Sequence, residues 1–109
     1  MHVGVEVGAF AADQLPLRRD QEIVLLRSAQ EALVNVRRHA RARAATVALC
    51  HDGRTVTLEV VDDGVGFDPA VAGIGLTGLA ARAREAGGAS HVRSAPGDGT
   101  RITVLIPVA

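Results

Sequence analysis

Over residues 2–7 (HVGVEV) apolar positions alternate with polar or small ones, the two-residue period of a strand. Leu15 and Pro16 break that rhythm, and a three- and four-residue period replaces it. Ile23, Leu26, Ala29, Leu33, Val36 and Ala40 recur at helical steps, which predicts a helix over roughly 18–40 with this line against the core. Arg27, Glu31, Asn35 and His39, each four residues after the last, form a second, polar line on the same helix.

Two alternating runs follow at 46–51 and 55–61, joined by Asp52-Gly53, a pair that tolerates the positive φ of a tight hairpin. A Pro- and Gly-containing loop then leads to a helix over 76–86, which Gly87-Gly88 stops. Two last strands, at 90–94 and 101–106, flank the turn Pro96-Gly97-Asp98-Gly99. The order is strand, helix, two strands, helix, two strands, with no internal repeat and no interdomain linker, so residues 1–109 are expected to form a single domain. Hairpins make the sheet at least partly antiparallel, and both helices need one apolar face to cover. The expected architecture is a two-layer α/β sandwich rather than a doubly wound parallel sheet.

Composition narrows the chemistry. All 12 basic residues are arginine, and there is no lysine. A Walker A loop and a eukaryotic-type protein kinase both need a lysine at the phosphates, so neither solution is open to this chain. The formal charge is zero and the only aromatics are Phe10 and Phe67, which argues against direct nucleic-acid binding. No apolar run approaches the ~20 residues of a membrane helix, so no membrane contact is expected of this domain, although its parent protein can still be anchored. The lone cysteine, Cys50, lies in an alternating apolar run and reads as a small core residue of a reducing, cytoplasmic protein.

Three features remain once the core is assigned. A polar helix face such as Glu31 and Asn35 is most simply solvated, yet an Asn amide oxygen can also ligate Mg²⁺. Asp62-Asp63-Gly64-Val65-Gly66 ends a strand. As a bland feature it is a turn; its two spaced glycines also let backbone approach a flat ligand, and a fixed carboxylate can accept a hydrogen bond from an exocyclic amine such as that of adenine. Gly73, Gly75 and Gly78 spell GxGxxG at a helix start. The proline-broken 68–72 segment before them is no central strand, which rules out a dinucleotide fold, but a helix N-terminus still favours a phosphate.

In this order the features resemble the GHKL superfamily of ATP-binding domains, over about residues 3–107. The segment QEALVNVRRHA (30–40) looks like the N box, DDGVGF (62–67) like the first glycine box, GIGL (73–76) like the second, and GDGT (97–100) like the last. The finer resemblance is to nitrate-sensor-like bacterial histidine kinases, carried by EALVNVRRHA, VDDGVGFD, GIGLTGLAARAREAGG and SAPGDGTRITVLIP. Ala80-Ala81-Arg82 departs from it, since that group usually has a Glu before the Arg. The resemblance implies a Bergerat-type sandwich: a mixed, largely antiparallel sheet covered on one face by helices.

It also implies ATP and Mg²⁺ as cofactors. Asp62 would read the adenine amino group, with Gly64, Gly66 and Thr100 around the base, and Asn35 would hold Mg²⁺. Arg38, His39, Gly73, Gly75 and Leu76 would meet the phosphates, although Arg38 is equally a solvated helix end. Glu31 stands where ATPase branches place a general base; in a kinase it could instead hold a metal-bound water. The γ-phosphoryl would pass to a histidine on a separate dimerisation domain, and from there to a helix-turn-helix response regulator. None of His2, His39, His51 and His91 has the setting of that acceptor, so the chain alone is not expected to phosphorylate itself. An anti-sigma-factor-like serine kinase and a non-catalytic, nucleotide-responsive binding module are the alternatives.

Overall fold

The computed structural model describes residues 2–7, 17–37, 41–66 and 76–108, with backbone alone at 2–7 and at 76 and 77. The elements are β1 (His2–Val7), α1 (Arg19–Asn35), β2 (Ala44–His51), β3 (Thr55–Asp62), α2 (Leu76–Glu85), β4 (Ala89–Ser94) and β5 (Thr100–Pro107). They form one five-stranded sheet in the order β1-β2-β3-β5-β4. β1 runs parallel to β2 and every other pair is antiparallel, as in the sandwich expected from the sequence.

The two-residue period of β3 and β5 builds the core. Val56, Leu58 and Val60 lie opposite Ile106, Val104 and Ile102, and all six are buried. Leu25 and Ala32 from α1 and Leu79, Ala83 and Ala86 from α2 complete the cluster on that face. Burial of this apolar surface is the main force holding the layers together. α2 ends in a Schellman motif, in which the Gly87 N–H bonds to the Arg84 carbonyl (2.9 Å) and the Gly88 N–H to that of Ala83 (2.8 Å). Gly88 then lies so close to β5 that a Cβ there would stand 3.0 Å from Ile106 Cδ1. Ile106→Val removes that methyl from a fully buried position and should lower stability by roughly 1 kcal/mol in a urea titration.

Two expectations about faces are corrected. Ile23 and Leu26 are exposed (45% and 61%), and the line of α1 that enters the core is Gln21, Leu25, Ser28 and Ala32. Two of those residues are polar, but each is hydrogen-bonded. Gln21 accepts the Arg18 N–H (3.0 Å) and donates to the Pro107 carbonyl (3.3 Å), and the Ser28 hydroxyl donates to the Val24 carbonyl (2.7 Å). The bond to Pro107 fixes which side of α1 faces the sheet. Ala29 and Leu33, from the expected stripe, pack at the margin of the core, and Val36 is buried. Cys50 is exposed, not buried: its partner across the ladder is Thr57, which alternates outward from Val56 and Leu58 onto the face that the helices leave uncovered. The regular turns of α1 end at Asn35, and Val36 and Arg37 continue as a π turn; residues 38–40 of the expected helix lie outside the described residues.

Candidate functional site

At the end of the sheet the apolar rows give way to a polar one. Val60, Ile102 and Val92 share a row across β3, β5 and β4; two residues along, the row is Asp62, Thr100 and Ser94. Alternation therefore aims these three side chains to the helix-covered face, at the edge of the core. Asp62 and Thr100 are buried (7% each). The Ser94 hydroxyl bonds the Gly99 carbonyl (2.9 Å) and shares a bond with Thr100 Oγ1 (2.9 Å). Asp62 Oδ1 accepts the Gly64 N–H at 2.8 Å. Burial pushes the Asp62 carboxyl above the usual carboxylate range; the Gly64 bond opposes this, the Asp63 charge adds to it, and the Thr100 backbone opposes it. Asp62, Ser94, Gly99 and Thr100 line a cavity of ≈ 420 Å³ with Val61, Arg93, Ala95, Asp98 and Arg101.

The loop after β3 is held from two sides. Asp63 Oδ1 accepts the N–H groups of Arg43 (2.9 Å) and Ala44 (3.1 Å), tying the loop to the start of β2. The Ala44 bond in particular holds this carboxyl below its ordinary range. On the other side the loop meets the 95–99 turn, with a backbone bond from the Gly97 N–H to the Val65 carbonyl (2.6 Å). Gly66 has φ +66°, and a Cβ on it would lie 2.0 Å from the Ala95 carbonyl oxygen. What approaches Gly66 is thus the protein's own turn. Gly99 is nearly as close to the Asp62 carbonyl oxygen, at 2.3 Å from a hypothetical Cβ.

A second cavity, ≈ 340 Å³, lies between the helices and is lined by Gln30, Glu31, Val34 and Asn35 of α1 with Gly78 and Arg82 of α2. The four-residue step from Glu31 to Asn35 puts both on one face. Glu31 Oε2 accepts a charged hydrogen bond from Arg82 Nη2. Among the described residues no cluster of three or more His, Cys, Asp or Glu side chains could hold a metal alone. An Asn amide and a Glu carboxylate on one cavity are nevertheless hard oxygen donors, which suits a cation that takes most of its shell from phosphates and water.

The structure therefore gathers Asp62, Gly64, Gly66 and Thr100 at one end of the sheet, and Glu31 and Asn35 between the helices. The two cavities share no lining residue. Leu76 is the first residue of α2. Arg38, His39, Gly73 and Gly75 lie outside the described residues. The sequence reading missed Ser94, Asp63 and Arg82. Ser94 had only its place opposite Thr100 as a signal. The partners of Asp63 and Arg82 lie about 20 and 51 residues away, beyond any local pattern.

Comparisons with known proteins bear on the family and the fold. The chain is 40% identical over 87 residues to the sensor histidine kinase LiaS of Bacillus subtilis, covering 77% of this chain and 24% of that protein. It is 34% identical over 100 residues to the sensor histidine kinase YhcY of the same organism, covering 84% and 25%. The chain thus spans about a quarter of the length of these curated relatives. Its fold is similar to that of the Erythrobacter litoralis EL346 blue-light activated histidine kinase, with a TM-score of 0.78 at 19% identity over 99% of this chain and 36% of that one. It is similar also to the ATP binding domain of PrrB from Mycobacterium tuberculosis, with a TM-score of 0.68 at 20% identity over 80% and 68%. A family model described as histidine kinase-, DNA gyrase B- and HSP90-like ATPase matches residues 20–109, and with the buried Asp62–Thr100 row and the Glu31–Asn35 face in place the chain belongs to that family, as an ATP-binding domain of the kind found in sensor histidine kinases.

Proposed function

We propose that this chain binds Mg-ATP and donates the γ-phosphoryl group to a histidine on a separate dimerisation domain, in a two-component pathway that ends on a response regulator. The observation that carries this reading is the Asp62 carboxylate, buried at the mouth of a cavity beside Thr100 and Ser94. A buried acceptor with no ion-pair partner among the described residues suits the exocyclic amine of adenine, since an amine donor offsets part of the desolvation of the carboxylate.

In this reading the base sits at the sheet end and the phosphates reach toward the helices. Asn35 offers its amide oxygen to Mg²⁺, which supplies charge neutralisation at the phosphates when bound. Arg38, His39 and the backbone of Gly73, Gly75 and Leu76 complete the phosphate contacts. Arginine there would match phosphate oxygens in a bidentate fork, a role lysine fills in other nucleotide sites.

The test is transfer. The chain is mixed with γ-labelled ATP, Mg²⁺ and the dimerisation domain of its own kinase, and each protein is followed on a gel. Label on the dimerisation domain, alkali-stable and acid-labile as a phosphohistidine is, is the expected result. Acid-stable label on a serine of an added partner would replace this reading with a serine kinase. ATP binding with no label on any partner would leave a nucleotide-responsive binding module.

A further inference from the structure

We propose that Arg82 is a positioning residue that commits the Glu31 carboxylate to an ion pair between the two helices and so withholds it from activating water against bound ATP. The inference rests on the nucleotide reading above and concerns what the site does with the nucleotide it holds.

Glu31 stands one helical turn before Asn35 and lines the same cavity. Apart from serving a cation, a carboxylate in that place has two uses. It can take the proton of an attacking water, or it can be held as a fixed charge. In hydrolysis a water oxygen bonds to the γ-phosphorus, the bond to the β–γ bridging oxygen breaks with its electron pair leaving on ADP, and the water's proton needs an acceptor. Transfer to a neutral imidazole needs no such acceptor at the attacking atom, because the ring nitrogen attacks through its own lone pair.

The structure assigns Glu31 to the second use. Arg82 Nη2 donates to its Oε2, and among the described residues Glu31 is the one ion-pair partner of Arg82. A carboxylate that accepted a proton would lose its charge and with it most of this interaction. The guanidinium is delivered by packing. Leu79 and Ala83, which flank Arg82 on α2, are 2% and 0% exposed, so α2 cannot turn without opening the core. One turn earlier stands Gly78, where a Cβ would come within 3.3 Å of Arg82 Nη2; the missing side chain leaves the path to α1 clear. The Arg82 side chain is 26% exposed, and its Nε is buried without an acceptor among the described residues. The Glu31 side chain is more open, 41% exposed, so the pair is anchored from its packed Arg82 end.

The experiment measures ATP affinity by calorimetry and phosphate release from Mg-ATP for this chain and for Arg82→Ala, Arg82→Lys, Glu31→Gln and the double variant Arg82→Ala/Glu31→Gln. Arg82→Ala should raise hydrolysis roughly 100-fold, the lower end of what a freed general base supplies, with affinity within about threefold of the parent. Arg82→Lys should stay near the parent, because one donated N–H and the charge suffice. The double variant should fall back to the level of Glu31→Gln. Unchanged hydrolysis in Arg82→Ala with affinity retained, or a gain that survives in the double variant, overturns the role of Arg82. Should Arg82→Ala lose its folded signal, Arg82→Met keeps the packing stem and is read by the same criteria. Absence of ATP binding in the parent chain and in Glu31→Gln alike would instead overturn the nucleotide reading, and this proposal with it.

Discussion

Asp62→Asn should weaken the binding of ATP, and of adenosine alone, by roughly 10- to 100-fold, the loss of one hydrogen bond to a charged group. The substitution is nearly isosteric, and its amide oxygen can still accept the Gly64 N–H that Asp62 takes at 2.8 Å, so the fold should persist by circular dichroism. What changes is the group presented to the cavity: an NH₂ donor would face the amine donor of adenine. Calorimetric titration of the two proteins with adenosine isolates the base end from the phosphates. Equal affinities would remove Asp62 from the site.

Proton linkage gives the same carboxyl a second signature. Burial raises its pKa above the ordinary value, and the adenine amine bonds best to the ionised form. Affinity for adenosine should therefore fall as pH drops through that raised pKa, and Asp62→Asn should flatten the profile. Stability runs the other way. A group whose pKa is raised by folding contributes fully below its unfolded pKa, and that contribution is lost as pH rises through the folded value. In the window above the ordinary carboxylate range, this one proton favours the empty fold at lower pH and the occupied site at higher pH.

Gly66→Ala should be the most damaging small substitution in the described loops, lowering stability by roughly 3–5 kcal/mol. About 1–2 kcal/mol of that is the cost of an L-residue at positive φ, and the rest is overpacking. The new methyl would lie 2.0 Å from the Ala95 carbonyl oxygen and 2.9 Å from that of Gly99, both backbone atoms that cannot swing aside. Gly97→Ala is the control. Its φ is +88°, yet nothing lies within 4 Å of its hypothetical Cβ, so it should show the conformational cost alone. Urea titrations of the two variants, compared at equal m-values, separate clash from strain. Similar midpoints for both would show that the loop and the turn do not press together as described.

The elements of this fold were legible because strands and helices carry their own periods. Every predicted strand is present, with ends shifted by no more than two residues. What periodicity does not carry is which face finds a partner. Ile23 and Leu26 look like core from spacing alone, whereas Gln21 enters the core beside the Pro107 carbonyl it donates to, and Ser28 is tolerated there because the Val24 carbonyl of its own helix accepts its hydroxyl. Cys50 was misplaced for the same reason: an antiparallel strand can leave one face open, and an apolar residue can stand on it. At the site, Asp62 and Thr100 could be singled out by their boxes, and the ladder that seats them opposite one another is a consequence of strand register. The Asp63 tie and the Glu31–Arg82 pair were not legible, since each joins residues that only the finished fold brings together.

The bond from Gln21 to the Pro107 carbonyl joins residues 86 apart in the chain. It has a consequence for the order of assembly. Closing so long a loop costs entropy that nothing nearby repays, and Pro107 is in place only once β5 has entered between β3 and β4. Although the first turn of α1 is closed locally by the Arg18–Gln21 cap, the bond to Pro107 is therefore set late, after the strands it leans on. Its strength governs how slowly the finished molecule opens more than how quickly it forms.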